Sequence, residues 1–202
     1  KAWKSFSNID WTKIQPGDTV YISGGSTSKT YTETWYIGAS GTKDAPITFR
    51  VGQDPGHNGK VVFDYDALGD EANAFGVTLV RPWIKFDGEV NGKSHWDFRN
   101  LRNIKNKATA YSIGGYDATG LEVRFLTFTN ANHGIRVHDA DYAKVYNNTF
   151  KQIRGDAAIS VWGKIEEWDS ILIHDNDIEL AFNIAVPPGA TGFYVGPDGI
   201  QA

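Results

Sequence analysis

The sequence predicts an all-β solenoid, in which short strands coil around a common core and each turn stacks on the one before it. The main observation is a phrase of two apolar residues around one further residue, which returns in the second half of the chain: Tyr111-Ser112-Ile113, Ile135-Arg136-Val137, Ile159-Ser160-Val161 and Ile200-Gln201-Ala202. The first three begin about 24 residues apart, and the fourth follows after one such period plus an insertion. Strand repeats of this length are typical of solenoids.

A second phrase alternates with the first and supports the same fold. It occurs at Val123-Arg124-Phe125-Leu126-Thr127-Phe128, Val145-Tyr146-Asn147-Asn148-Thr149-Phe150 and Ile173-His174-Asp175-Asn176-Asp177-Ile178. Asn148 and Asn176 occupy the same place in consecutive phrases. Because stacked turn residues bond to neighbouring backbone groups, this favours an internal polar ladder over a Ca²⁺ site at residues 174–177.

The first half of the chain has the same organisation of short strands bounded by turn residues. Residues 1–16 are predicted to be a capping or entry segment, and residues 17–202 the coils, together one domain of roughly seven to nine coils with about 22–28 residues each. Polar segments at 24–30 and 90–108 are expected to be a loop and an excursion from the coil. The predicted strands are Thr19–Ser23, Thr34–Ile37, Ile47–Val51, Val61–Tyr65, Val77–Val80 and Ile84–Gly88.

Composition excludes several other classes of protein. The chain has 202 residues, 41% of them hydrophobic, which is enough for a substantial core. No cysteine is present, so disulfides and thiolate metal sites are excluded. No apolar run approaches the length of a membrane span. The net charge of −4 and the scattered basic residues give no sign of nucleic-acid binding.

Three segments carry a resemblance to a known superfamily. Pro16-Gly17-Asp18-Thr19-Val20-Tyr21-Ile22, Gly41-Thr42-Lys43-Asp44-Ala45-Pro46-Ile47-Thr48-Phe49 and the Val145–Phe150 phrase resemble the pectate-lyase-like superfamily of right-handed parallel β-helix proteins. The resemblance implies a single-stranded right-handed parallel β-helix with a short N-terminal cap. It leaves activity open, because the superfamily includes polysaccharide lyases, glycoside hydrolases, epimerases, tailspikes and adhesins.

The alternation within strands predicts a candidate surface. If the apolar residues of the first phrase face the core, Ser112, Arg136, Ser160 and Gln201 form one outward column, and Gly114, His138 and Trp162 form the next. Turns beside them add Asp156 and Asp198. Trp162 would stack on a pyranose ring, Arg136 would pair with a uronate carboxylate, and His138 would titrate near neutral pH. The alternative is that Arg136 is a solvated ion pair and that the two aspartates cap turns.

Three function classes follow from this surface. The first is an extracellular or cell-surface lyase or hydrolase acting on an acidic polysaccharide, with Arg136, His138, Asp156 and Asp198 as catalytic candidates and Ser112, Ser160, Trp162 and Gln201 as substrate-binding candidates. The sequence specifies no metal site, although a lyase would have use for Ca²⁺ as the cation that neutralises the carboxylate. The second class is a non-catalytic carbohydrate-binding adhesin, and the third is a structural solenoid in a fibre or spike.

The end of the chain carries a separate expectation. Asp198-Gly199-Ile200-Gln201-Ala202 repeats the strand phrase, and no polar cap follows it. Because solenoids normally cover their last coil, we expect the helix to continue beyond residue 202 or this end to dock onto another chain, including a second copy.

Overall fold

Three parallel sheets of six strands each form the body of the protein. The structure, a computed structural model, describes residues 3–106, 108–163, 170–181 and 198–201. Its other regular elements are one two-stranded antiparallel sheet and three single-turn 3₁₀ helices at Phe6–Asn8, Trp11–Lys13 and Asp66–Leu68. The predicted all-β class is confirmed.

The chain visits the three sheets in rotation, and each set of three strands is called a coil here. Coil 1 contains β1 (Thr19–Ile22), β2 (Ser28–Tyr31) and β3 (Trp35–Tyr36); coil 2 contains β4 (Ile47–Val51), β5 (Lys60–Asp64) and β6 (Phe75–Leu79). Coil 3 contains β7 (Ile84–Asp87), an antiparallel hairpin of β8 (Glu89–Val90) and β9 (Lys93–Ser94), then β10 (Trp96–Arg99) and β11 (Tyr111–Gly115). Coil 4 contains β12 (Glu122–Arg124), β13 (Leu126–Thr129) and β14 (His133–Val137). Coil 5 contains β15 (Lys144–Tyr146), β16 (Thr149–Ile153) and β17 (Ala157–Val161), and coil 6 contains β18 (Leu172–His174), β19 (Asp177–Leu180) and β20 (Asp198–Gln201).

Each sheet takes one strand from every coil. Sheet A contains the first strand of each coil, sheet B the second and sheet C the third, and strands of consecutive coils pair in parallel. Because every strand pairs with the equivalent strand of the next coil, equivalent side chains stack along each sheet. This arrangement is compatible with the parallel β-helix that the sequence predicts.

The core consists of apolar columns that follow from this register. In sheet B, Phe63, Phe98, Phe128 and Phe150 occupy paired positions and are fully buried. Their ring centroids are 5.0, 5.6 and 4.8 Å apart in that order, and the rings are nearly parallel. Sheet C contributes Val77, Ile113, Ile135 and Ile159 at mutually paired positions. Ile135 and Ile159 therefore face inward as the sequence predicts.

The predicted asparagine ladder is confirmed. Asn148 accepts a hydrogen bond from the backbone N–H of Leu126 and donates to the carbonyl oxygen of Val123, both in coil 4. Asn176 repeats this one coil later, accepting from the N–H of Asn148 and donating to the carbonyl oxygen of Val145. The ladder satisfies backbone groups at the short turn between sheets A and B, where each coil changes direction.

Three sequence predictions about the coils differ from the structure. The described residues form six coils, fewer than the predicted seven to nine, and long connections follow β5 and β10. The segment 90–108 is also not wholly an excursion. It contains β10, whose Trp96 and Phe98 are fully buried in sheet B while Asp97 and Arg99 alternate with them. The expected loop at 24–30 likewise contains the start of β2, an edge strand with little burial.

The entry segment packs over the first coil. The Phe6 ring lies 5.3 Å from Tyr31, 4.5 Å from Trp35 and 5.3 Å from Phe63, measured between ring centroids. Ile14 is also buried. These contacts cover apolar side chains of coils 1 and 2 at the N-terminal end of the stack.

Candidate functional site

The outer face of sheet C carries most of the predicted site residues in one continuous column. Backbone pairing aligns Tyr36, Thr78, Gly114, Arg136, Ser160 and Gln201 in consecutive coils. Arg136, Ser160 and Gln201 are therefore neighbours on one face, as the sequence predicts. The column brings a guanidinium, a hydroxyl and an amide into line along the direction in which the coils stack.

Ser112 does not belong to this column, and its predicted place there is wrong. Ile113 pairs with Ile135, so Gly114 and not Ser112 lies beside Arg136. Ser112 lies two residues away and is fully buried, with its hydroxyl unpaired inside the protein. The error is a register shift of two residues, which keeps every side chain on its own face but moves it to another column.

Arg136 is held in place by two contacts. Its guanidinium forms an ion pair with Asp156 at 3.3 Å and lies 5.5 Å from the centroid of the Tyr111 ring. The Arg136 side chain keeps 28% of its surface exposed. Gly114 allows this arrangement, because a Cβ atom there would lie 2.3 Å from the Phe75 ring that stacks on Tyr111. The cation is thus positioned and still accessible to an anionic ligand.

A second outward column beside the first is aromatic. The rings of Tyr116 and His138 stack with centroids 5.1 Å apart, and His138 and Trp162 follow at 6.3 Å with an angle of 11° between their planes. Tyr116 is 62% exposed. The corrected register puts Tyr116 where the sequence prediction had Gly114, so the sequence analysis missed this residue. The signal was Ile113, an apolar residue two positions after Tyr111 that could equally be aligned with Ile135.

Trp162 is oriented by a side-chain hydrogen bond. Its indole Nε1–H donates to the hydroxyl oxygen of Ser160 at 2.6 Å, which explains why Ser160 is fully buried although it lies in the outward column. One face of the indole is turned toward His138. Tyr116, at the other end of the stack, therefore offers the more open ring face of the two.

His138 lies between the two aromatic rings and close to Arg136. Burial lowers the pKa of His138 below its usual 6.5, the positive charge of Arg136 lowers it further, and Asp139 opposes both. Among the described residues, no hydrogen bond engages either nitrogen of the His138 ring. At neutral pH the ring is therefore mainly unprotonated and has a nitrogen able to accept a proton.

Asp156 and Asp198 lie in adjacent coils but are bound to different partners. The backbone N–H of Asp198 donates to the carbonyl oxygen of Asp156 at 2.6 Å. The Asp156 carboxylate pairs with Arg136, whereas the Asp198 carboxylate accepts a hydrogen bond from the Gln201 amide at 2.8 Å. The Arg136–Asp156 pair thus matches the ion-pair alternative that the sequence analysis gave for Arg136, and the two aspartates do not share a partner.

Sheet A has a polar outer face that the sequence analysis did not consider. Asp87 is nearly fully buried and lies 3.4 Å from Arg50 and 2.8 Å from Arg124 in the neighbouring coils. Glu122 accepts from Lys85 at 2.8 Å and from the Tyr146 hydroxyl at 2.6 Å. The sequence signal for this face was the second residue of two repeats, Arg124 after Val123 and Tyr146 after Val145, because a polar residue beside a buried one points outward. Since these charges pair with one another, the face is a stabilising ion-pair lattice.

Comparisons with known proteins add no relative to this description. The chain matches no protein family, no curated protein and no solved structure. In the described part of the chain, no three or more His, Asp or Glu side chains come together as a metal site. Nor does any helix of the described ranges have the length and apolar character to cross a membrane.

Proposed function

We propose that this chain is an extracellular right-handed parallel β-helix protein of the pectate-lyase-like superfamily that cleaves an acidic polysaccharide as a lyase. The observation that carries the proposal is the position of an accessible cation, Arg136 in β14, two residues before a histidine with a lowered pKa, His138, which directly follows β14. Residues i and i+2 of a strand are separated by about 6.6 Å, a distance that one sugar unit can bridge.

The two side chains match the two requirements of a β-elimination. Arg136 would pair with the uronate carboxylate and stabilise the negative charge that develops when the neighbouring carbon loses its proton. His138 would accept that proton. The electrons of the broken C–H bond form a C=C double bond, the glycosidic C–O bond breaks, and the departing oxygen takes a proton from protonated His138 or from water.

The hydrolase alternative is less well supported. A glycoside hydrolase needs one carboxyl group as proton donor and a second as base or nucleophile. The carboxyl group of Asp156 contacts the guanidinium of Arg136, and that of Asp198 accepts a hydrogen bond from Gln201. Both carboxyl groups are thus engaged by side chains of the protein itself.

Incubation with acidic and neutral polysaccharides tests the proposed reaction. We expect new chain ends that carry a C=C double bond, measured by ultraviolet absorbance, from uronate polymers and none from neutral ones. Reducing ends without the double bond would contradict the lyase and indicate a hydrolase. Binding without any cleavage would indicate the adhesin.

Tyr116→Ala is expected to weaken binding of an oligouronate by about 1–3 kcal/mol, because the variant loses the most exposed ring of the aromatic column. Isothermal titration calorimetry would measure the change. The matched control is Tyr21→Ala, which removes a tyrosine of similar exposure, 58%, from β1 of sheet A. Equal losses of affinity in both variants would show that Tyr116 has no particular place in the site.

A further inference from the structure

Tyr36 lies at the coil 1 end of the outward column that contains Arg136. It belongs to β3, the edge strand of sheet C, and backbone pairing relates it through Thr78 and Gly114 to Arg136. Tyr36 is 56% exposed, almost as much as Tyr116 in the neighbouring aromatic column. A large aromatic ring is therefore open to solvent on the same face of the protein as Arg136.

The entry segment supports the Tyr36 ring from one side. The ring centroid of Trp11 lies 5.8 Å from that of Tyr36, with an angle of 40° between the two planes. Gly38 permits this position of Trp11, because a Cβ atom at Gly38 would lie 2.5 Å from the indole ring. Asp10 fixes the turn that carries Trp11, since its carboxylate accepts hydrogen bonds from the backbone N–H and the hydroxyl of Thr12. A ring held in place before binding loses little conformational entropy when a ligand stacks on it.

The surface between Tyr36 and Arg136 offers a hydroxyl group and a second aromatic ring. Thr78 is half-buried and lies beside Tyr36 in the next coil. In the coil after that, the Phe75 ring fills the place of a side chain at Gly114, where a Cβ atom would lie 2.3 Å from it. Phe75 is itself half-buried, so part of its ring faces solvent. Such a surface suits a sugar chain, which presents apolar ring faces and hydroxyl groups.

The strand spacing sets the distance between Tyr36 and Arg136. The two residues lie in coils 1 and 4, three strand spacings apart, which corresponds to about 14 Å along the sheet. A pyranose unit lengthens a polysaccharide by roughly one strand spacing. A chain of about four units therefore reaches from Arg136 to Tyr36.

We propose that Tyr36, supported by Trp11, forms a distal saccharide subsite, so that the protein recognises chains of about four sugar units or more. This subsite rests on the proposed function, because its ligand is the polysaccharide whose uronate unit pairs with Arg136. The Tyr36 ring stacks on the apolar face of a sugar unit toward coil 1. Cleavage beside Arg136 then favours bonds within long chains over the bond of a dimer.

Binding of oligouronates of two and six units tests the subsite. The oligomers are prepared from a polysaccharide that the wild type cleaves, and calorimetry is carried out in the His138→Gln background to keep them intact. The six-unit oligomer is expected to bind about tenfold or more tightly than the two-unit oligomer, and Tyr36→Ala should remove most of this difference. The affinity for the two-unit oligomer, which is too short to reach from Arg136 to Tyr36, should stay the same.

Two further variants separate a binding role of Tyr36 from a structural one. Tyr21→Ala removes a tyrosine of similar exposure, 58%, from sheet A and should change neither affinity. Tyr36→Phe keeps the ring and should keep the tight binding of the six-unit oligomer. If Tyr36→Ala weakens both oligomers equally, or neither, Tyr36 contributes no distal subsite and the proposal is wrong. Should Tyr36→Ala fail to fold, Tyr36→Gln gives the same comparison with a longer side chain that lacks the ring.

The subsite and the proposed function fail in different ways. A wild type that binds and cleaves no acidic polysaccharide overturns the proposed function and the subsite with it. Cleavage of a uronate polysaccharide, together with equal affinities for the two-unit and six-unit oligomers, overturns the subsite alone.

Discussion

His138→Gln is expected to lower turnover on a uronate polysaccharide by about 10²–10⁴-fold, the usual contribution of a general base. Glutamine preserves the approximate size of the side chain and its place between Tyr116 and Trp162, but it cannot accept the proton. Substrate binding should change little, because Arg136 and Tyr116 remain. Initial rates of double-bond formation, with binding measured separately by calorimetry, would show this division between kcat and affinity.

The pH dependence gives the same assignment an independent check. Since burial and Arg136 lower the pKa of His138 below 6.5, the unprotonated base persists to lower pH than an exposed histidine would. The value of kcat/KM should therefore decrease only at a pH below 6.5, where His138 becomes protonated.

In Arg136→Gln the pKa of His138, followed by NMR, should move upward because one cation is removed. A pKa that stays unchanged or falls would contradict the proximity of these two groups, and full activity in His138→Gln would place the chemistry elsewhere.

Phe128→Ala is expected to reduce the free energy of unfolding by about 3–5 kcal/mol. Phe128 is fully buried between Phe98 and Phe150 in the aromatic column of sheet B, so its removal leaves a cavity and breaks two ring contacts. Phe98 keeps its contact with Phe63 on the other side, whereas Phe150 loses its only ring contact among the described residues. Urea unfolding followed by far-ultraviolet circular dichroism would measure the loss.

Thr129→Ala is the matched control for the core prediction. Thr129 follows Phe128 in β13 and lies partly exposed on the other face of the strand. Its replacement should reduce the free energy of unfolding by no more than about 1 kcal/mol, which is the range of strand propensities among residue types. Similar losses of unfolding free energy in Phe128→Ala and Thr129→Ala would contradict the prediction. They would mean that a ring in the aromatic column stabilises the fold no more than an outward-facing side chain does.

Local patterns were sufficient to predict the fold class and the orientation of side chains. The alternation in Ile135-Arg136-Val137 places Arg136 outward between two buried residues, and the structure confirms this arrangement. The repeated position of Asn148 and Asn176 predicts the ladder for the same reason. Both features depend only on residues that are close in sequence and on the regular spacing of the repeat. Both kinds of information can be taken directly from the sequence.

Register and coil number depended on contacts that the sequence does not specify. Ser112 and Gly114 both match the alternation of β11, so the sequence alone could not decide which one lies beside Arg136. The packing of Ile113 on Ile135 decides it and brings Tyr116 next to His138. Likewise, Trp96 and Phe98 lie within a polar segment, and only the neighbouring coils bury them.

The sequence by itself determined an all-β chain with repeated strands and an outward face that carries Arg136, His138 and Trp162. The tertiary structure alone decided the stacking of Tyr116 on His138, two residues that belong to successive coils. The reason is physical. Side-chain direction within a strand follows from local backbone geometry, whereas the pairing of distant strands is set by how their side chains pack in the shared core.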